Sequence, residues 1–402
     1  MKAQFAWLLL SRGTAIVLQA ILLILVGRAA GPADFGSLGA IIGICTLAVT
    51  IADFGISTYL SKLHALGDLG TAQAALRFNA LSTILGAVLL SGVLFAAYLN
   101  WAFAWTVPFI AVSFALQKNT DTALSIPIAD RLAGIPVASL MIRRVCALAA
   151  YAVCVGLGID AIGGYAIAVL VGAVAGQVHI WIVVTRAYGR REAPRVRYRP
   201  LLRSAVPYMV GNVSAQAQTL DVAIIAIVIG DVAAGLYSAA SKLTKPIMLI
   251  PRTMATMILP YAARRGSKNA RSMALKLTLG ALVSTIVMIP VSLLAGPLIT
   301  LAMGDAYAGA AATLAVGLIA LPMVALPSPL GSLLQSQGQQ VYVSINGIVF
   351  AVVTLIAIPV SAQFFGIEGV AAAIGITYAA KAFSLLVRIR SLPDSLELPE
   401  QA

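Results

Sequence analysis

Charge is scarce in this chain: Asp, Glu, Lys and Arg make up only 10% of its 402 residues, against roughly 25% in ordinary soluble proteins. With 60% hydrophobic residues and a mean hydropathy of +0.97, too little polar surface exists to coat soluble domains, so the solvent is lipid. Cysteine and histidine are also sparse. Cys45, Cys146 and Cys154 sit in apolar runs without CxxC spacing, and His64 and His179 are far apart, which argues against a disulfide scaffold and a Cys/His metal site. No G-x-x-x-x-G-K-[ST] loop, G-x-S-x-G elbow, H-E-x-x-H helix or loop cluster of carboxylates occurs. A self-contained ATPase and the common hydrolase chemistries therefore have no carrier here. The sequence reads as no enzyme, with no cofactor and no metal expected.

What is present is apolar length. A hydrocarbon core about 30 Å thick needs roughly 20 apolar residues per helix, and twelve such runs occur, near 8–27, 37–62, 77–99, 102–128, 137–159, 163–185, 203–229, 233–261, 273–295, 308–334, 341–362 and 367–389. The fourth is interrupted by Lys118 and Asp121, with Pro127 and Pro136 near its end. The first run lacks a clear A-x-A site and is followed at once by a second, so it reads as a span and not as a signal peptide.

The basic excess, 27 Lys and Arg against 14 Asp and Glu, falls unevenly. Twenty-one of the 27 fall at alternate ends of the spans, including seven Arg between Arg186 and Arg203, and one, Arg28, falls on the opposite side. The positive-inside rule then places both termini in the cytoplasm of a multi-pass protein of the inner (plasma) membrane. Most of the +13 is thus a topology signal, and no nucleic-acid partner is expected.

The basic stretch 186–202 divides the chain into residues 1–185 and 203–390, each with six spans, followed by a tail at 391–402. The halves echo each other. Sliding by 199 residues superposes Gly31 on Gly230, Gly36 on Gly235 and Gln19 on Gln218. The expected fold is all-α, with about twelve transmembrane helices in two pseudo-symmetric six-helix bundles around a central cavity.

Charge within the spans costs at least about 2.5 to 3.5 kcal/mol per residue at a helix centre unless it is paired or solvated. Arg12, Lys242, Lys245, Arg252 and Lys381 stand there against Asp53 and Asp221. A net positive interior suits an anion. At 100° per residue, Gly43, Thr46, Thr50, Asp53 and Ser57 share one stripe, Arg12 and Gln19 share a face, and Ser214, Gln218 and Asp221 align. Lys381, near the end of its span, reads as a snorkelling residue. Pro246, Pro251 and Pro260 suggest a bent gating helix in the eighth span.

Several motifs resemble a known family. Gly31-Pro32-Ala33-Asp34-Phe35-Gly36, Asp53-Phe54-Gly55, the stretch from Gly235 to Leu243, Gly304-Asp305-Ala306-Tyr307 and the stretch from Gly366 to Ala373 look like polysaccharide-biosynthesis flippases. These are the O-antigen and exopolysaccharide transporters of the multidrug/oligosaccharidyl-lipid/polysaccharide exporter superfamily. The resemblance implies alternating access and a polyprenyl-diphosphate-linked oligosaccharide as cargo, with a polysaccharide polymerase and export machinery as further partners besides the bilayer. Arg12, Gln19, Gln218, Lys242, Lys245 and Arg252 are the expected diphosphate and glycan contacts. Asp53 and Asp221 are expected to hold those charges or to carry a coupling ion, H+ or Na+. The rivals are a cation-coupled multidrug exporter of the same superfamily, whose cavity should be acidic, and a major-facilitator carrier, whose loop signature does not fit His64 to Gly70.

Overall fold

A computed structural model describes residues 2–65, 67–130, 132, 134–188, 198–248, 258 and 267–392. Among these residues the secondary structure is helical throughout, with no strand. Eight helices are long and apolar enough to cross a membrane. Two of them, α1 (Lys2–Ala52) and α15 (Gln340–Arg390), are 51 residues each and bend at a non-helical glycine, Gly31 or Gly366. At 1.5 Å per residue such a helix greatly exceeds the bilayer, so each supplies two spans. Each of the twelve expected spans overlaps helical segments among the described residues, the eighth, 233–261, through its part up to Met248 and Ile258.

The chain packs into two compact units, one of Met1–Ala30 with Ser37–Ala223 and one of Gly31–Gly36 with Ile224–Ala402. In the first unit, α1 stops at Ala52 and resumes as α2 (Ile56–Ala65). Then come α3 (Leu69–Ala97), α4 (Val107–Ala123) with its short continuation α5 (Ser125–Ala129), α6 (Gly134–Gly156), α7 (Ala161–Tyr188) and α8 (Tyr198–Gln216). Helices α6 and α7 pack along each other, and α4 lies against both α3 and α7. Lys118 and Asp121 do not interrupt the fourth span. Both lie within α4, and each has a partner of opposite charge outside it: Asp53 in the turn between α1 and α2, and Arg143 on α6.

After a 3₁₀ turn at Ala217–Leu220, α9 (Asp221–Ile229) leads into the second unit. There follow α10 (Asp231–Thr244), α11 (Ser267–Ser292), α12 (Ala295–Met303), α13 (Ala311–Ala325), α14 (Pro327–Ser336) and α15. Pro246, lacking an N–H, sits where α10 gives way to a 3₁₀ turn over Lys245–Met248. Pro251 and Pro260, the remainder of the expected bent helix, lie outside the described residues.

The 199-residue echo has a structural counterpart. Gly31 and Gly230, aligned by that offset, both take positive φ, 78° and 94°, at the breaks after the first and seventh spans. Gly36 and Gly235, aligned likewise, lie against the opposite turn. A Cβ on Gly36 would stand 2.0 Å from the Asp231 carbonyl oxygen, and one on Gly235 would stand 1.8 Å from that of Pro32. Only glycine permits two backbones to approach that closely. The two turns are thereby locked together inside the second unit.

Large apolar side chains face outward along the helices, among them Leu89, Ile286, Ile376 and Phe383, each more than 60% exposed. In water such continuous apolar faces would aggregate. They are the surface a bilayer requires of a spanning helix, whose backbone groups are already satisfied internally.

Candidate functional site

The polar centre of the first unit is built on Asp53. The residues after it turn left-handed: Phe54 has φ of 50°, the one positive value at a non-glycine among the described residues, and Gly55 has 76°. A Cβ on Gly55 would collide with the backbone of α8, 2.4 Å from the Met209 nitrogen. The Asp-Phe-Gly triplet thus ends α1, restarts the chain as α2 and seats it on α8.

Asp53 is fully buried, and its carboxylate is saturated. It accepts from the Ser57 N–H (3.3 Å) and Oγ (2.8 Å), which caps the first turn of α2. It also accepts from Asn79 Nδ2 of α3 (2.7 Å) and Thr122 Oγ1 of α4 (3.0 Å). Lys118 Nζ stands 3.3 Å from Oδ2 and donates to Ser57 Oγ at 3.2 Å. Around this hub, Thr83 of α3 donates to Asn119 of α4 at 2.8 Å, and Thr120 donates to Gln177 of α7 at 3.2 Å. One buried carboxylate therefore ties the second, third and fourth spans. A buried charge is tolerated when paired and hydrogen-bonded in this way.

A second charged pair lies on the same unit. Arg143 Nη2 stands 2.8 Å from Asp121 Oδ1, with Arg143 buried and Asp121 half-exposed. The Arg143 side chain fits because α7 offers a glycine groove: a Cβ on Gly176 would stand 2.4 Å from Arg143 Cγ. Arg143 and Asp121 also line a cavity of 220 Å³ with Leu140, Leu124 and Pro136. Arg144 follows, and its Nε is buried without a hydrogen-bond partner among the described residues.

These groups revise the sequence tally. Lys118, Arg143 and Arg144 belong by sequence to the cytoplasmic ends of the spans. In the structure, Arg143 and Arg144 are the tenth and eleventh of the 23 residues of α6, and Lys118 is inside α4. The signal that marked them was their position within apolar runs, six or more residues from a predicted end.

The remaining expected site residues divide between the units. Arg12, Gln19, Asp53, Gln218 and Asp221 belong to the first, and Lys242 and Lys245 to the second. Gln19 is exposed, Gln218 half-buried in the 3₁₀ turn, and Lys242 half-buried near the end of α10. Asp221 is buried and opens α9, where its Oδ1 accepts the Val222 N–H at 2.8 Å. Arg12 and Lys245 lie in helical turns. Arg252 lies outside the described residues. Lys381 is half-buried, with Nζ 5.6 Å from the centre of the Tyr378 ring.

Residues 1–265 match the family model described as "Polysaccharide biosynthesis protein". Among curated proteins none matches the chain in sequence. Solved structures share the fold at low identity. An inward-facing multidrug resistance MATE family transporter of the MOP superfamily has a TM-score of 0.69 at 14% identity, covering 94% of each chain. The lipid II flippase MurJ in an inward closed conformation has a TM-score of 0.69 at 12% identity, covering 96% of this chain and 88% of that one. A MOP superfamily transporter from Pyrococcus furiosus has a TM-score of 0.69 at 13% identity, covering 96% and 94%.

Proposed function

Because the chain belongs to the polysaccharide biosynthesis protein family and has the fold of the MOP transporters, we propose that it is a flippase for a polyprenyl-diphosphate-linked oligosaccharide. It would carry this cargo from the cytoplasmic to the outer leaflet of the inner membrane, by alternating access, for surface polysaccharide such as O-antigen or exopolysaccharide.

The observation that carries this reading is the sign of the charge within the spans. With the residues found inside α4 and α6 included, and charges within three residues of a span end set aside, eight cations (Arg12, Lys118, Arg143, Arg144, Lys242, Lys245, Arg252, Lys381) stand against three carboxylates (Asp53, Asp121, Asp221). Two of the carboxylates are already matched by Lys118 and Arg143. A positive surplus in low dielectric favours a phosphate-bearing cargo and disfavours an organic cation. Arg12, Lys242, Lys245 and Arg252 are the proposed diphosphate ligands, with Gln19 and Gln218 for the sugars. Asp53, saturated and closed to solvent, is assigned to holding the helices. Asp221 is the proposed carrier of a coupling H+ or Na+.

The second reading, a multidrug exporter, draws support from the equal likeness to a MATE transporter, and the charge sign weighs against it. The major-facilitator reading is set aside by the fold. Proteoliposomes loaded with a fluorescent polyprenyl-diphosphate oligosaccharide separate the two that remain. The proposal expects leaflet transfer that Lys242→Ala or Arg252→Ala abolishes in correctly inserted protein. Export of organic cations with no transfer of the lipid-linked glycan would overturn it.

A further inference from the structure

A cavity in the second unit belongs to none of the residues assigned above. It is a groove of about 370 Å³ between α11, α13 and the start of α14, reached at one side by the 3₁₀ turn at Ile247 and Met248. Its cause is local. Where Ala270 and Ala274 of α11 meet Leu330, Leu333 and Leu334 of α14, large side chains fill the space. Further along, α11 presents Gly280, Ala281 and Ser284, and the facing wall presents Pro322 and Pro329. A Cβ built on Gly280 meets nothing within 4 Å. Small residues on one wall and prolines on the other leave a channel that no side chain among the described residues occupies.

The lining identifies the occupant. Among the described residues, every side chain around the groove is apolar except Lys276 and Ser284. Such walls do not hold water, which needs two to four polar partners, and an empty apolar gap forfeits dispersion contacts. Lys276, Gly280, Ser284 and Met288 are spaced by four, so the groove follows one helix face for about 18 Å at 1.5 Å per residue. That shape suits an extended hydrocarbon chain. Lys276 stands at the end next to the packed core, exposed and with no ion pair among the described residues. No Asp or Glu occurs from residue 232 to 304, a stretch with eight Lys and Arg. The charge at the head of the groove therefore calls for an anion from outside the local chain.

We propose that this groove binds one acyl chain of an anionic phospholipid of the bilayer, with the lipid phosphate paired to Lys276. The site is separate from the cargo reading, and its test does not involve transport.

The test uses the full chain in nanodiscs containing phosphatidylglycerol with a diazirine in the acyl chain, and maps cross-links by peptide mass spectrometry. Capture should concentrate on Gly280, Ala281, Ser284 and Met288 and on residues 321–329, above the level at the exposed α11 residues Leu279 and Val283. Lys276→Ala should lower phosphatidylglycerol capture about fivefold, the effect of one cation on an anionic lipid, and leave capture of the matching phosphatidylcholine unchanged. Gly280→Leu, placed in open space, should remove groove capture of both lipids. Ser284→Phe is the second filling variant should the first not fold. Equal labelling of groove and outer wall, an unchanged pattern in the folded filled variant, or preferential capture of a polyprenyl phosphate probe would each overturn the proposal.

Discussion

At the residue scale, the strongest constraint on the first unit is the pairing of Asp53 with Lys118. Removing one member leaves the other charge buried without its partner, which costs about 3 to 5 kcal/mol. Asp53→Ala should therefore lower stability by that order in a detergent-solubilised unfolding assay. The double change Asp53→Leu with Lys118→Met should recover much of the loss, since no lone charge remains. Arg143 gives a second test. Gly176→Ala puts a methyl group into the Arg143 stem, and overpacking of this kind costs about 1 to 3 kcal/mol. The thermal midpoint should fall, with a larger fall for Gly176→Val. Asp53 was legible in the sequence as a charge in an apolar run. Its partner was not, because Lys118 lies 65 residues away and could equally have reached the membrane surface.

At the element scale, glycines decide where long helices bend and how closely their turns approach, and two of them separate those roles. Gly31 has φ of 78° with open space around its Cβ position, whereas Gly235 meets the Pro32 carbonyl at 1.8 Å. Gly31→Ala should cost about 1 to 3 kcal/mol, because φ of 78° with ψ of 169° is a region essentially confined to glycine, and leave the fold intact. Gly235→Ala has no open space, so the two turns must move apart. It should reduce the yield of folded protein measured by size-exclusion profile far more than Gly31→Ala. The sequence offset of 199 residues marked both pairs of glycines. It did not say that one pair was conformational and the other a contact, because identity at an aligned position carries no distance.

At the scale of the whole molecule, the basic residues set an orientation that can be checked directly. Single cysteines placed between residues 190 and 197 should react with a membrane-impermeant maleimide only after the cytoplasmic face is opened. A cysteine at Asp160 or Asp305 should react in intact cells. The number of spans, the all-helical class and the break after each half's first span were determined by sequence, since length, hydropathy and glycine punctuation are local properties read along the chain. The packing boundary was decided by tertiary structure. It falls between Ala223 and Ile224, inside the seventh span, because span assignment follows hydropathy while packing follows side-chain fit across helices. The same distinction governs the charges. The surplus of cations is a property of the sequence, but only folding determined that Lys118 faces Asp53 in the turn before α2 and that Arg143 faces Asp121 on α4, since pairing is a matter of distance between segments separated along the chain.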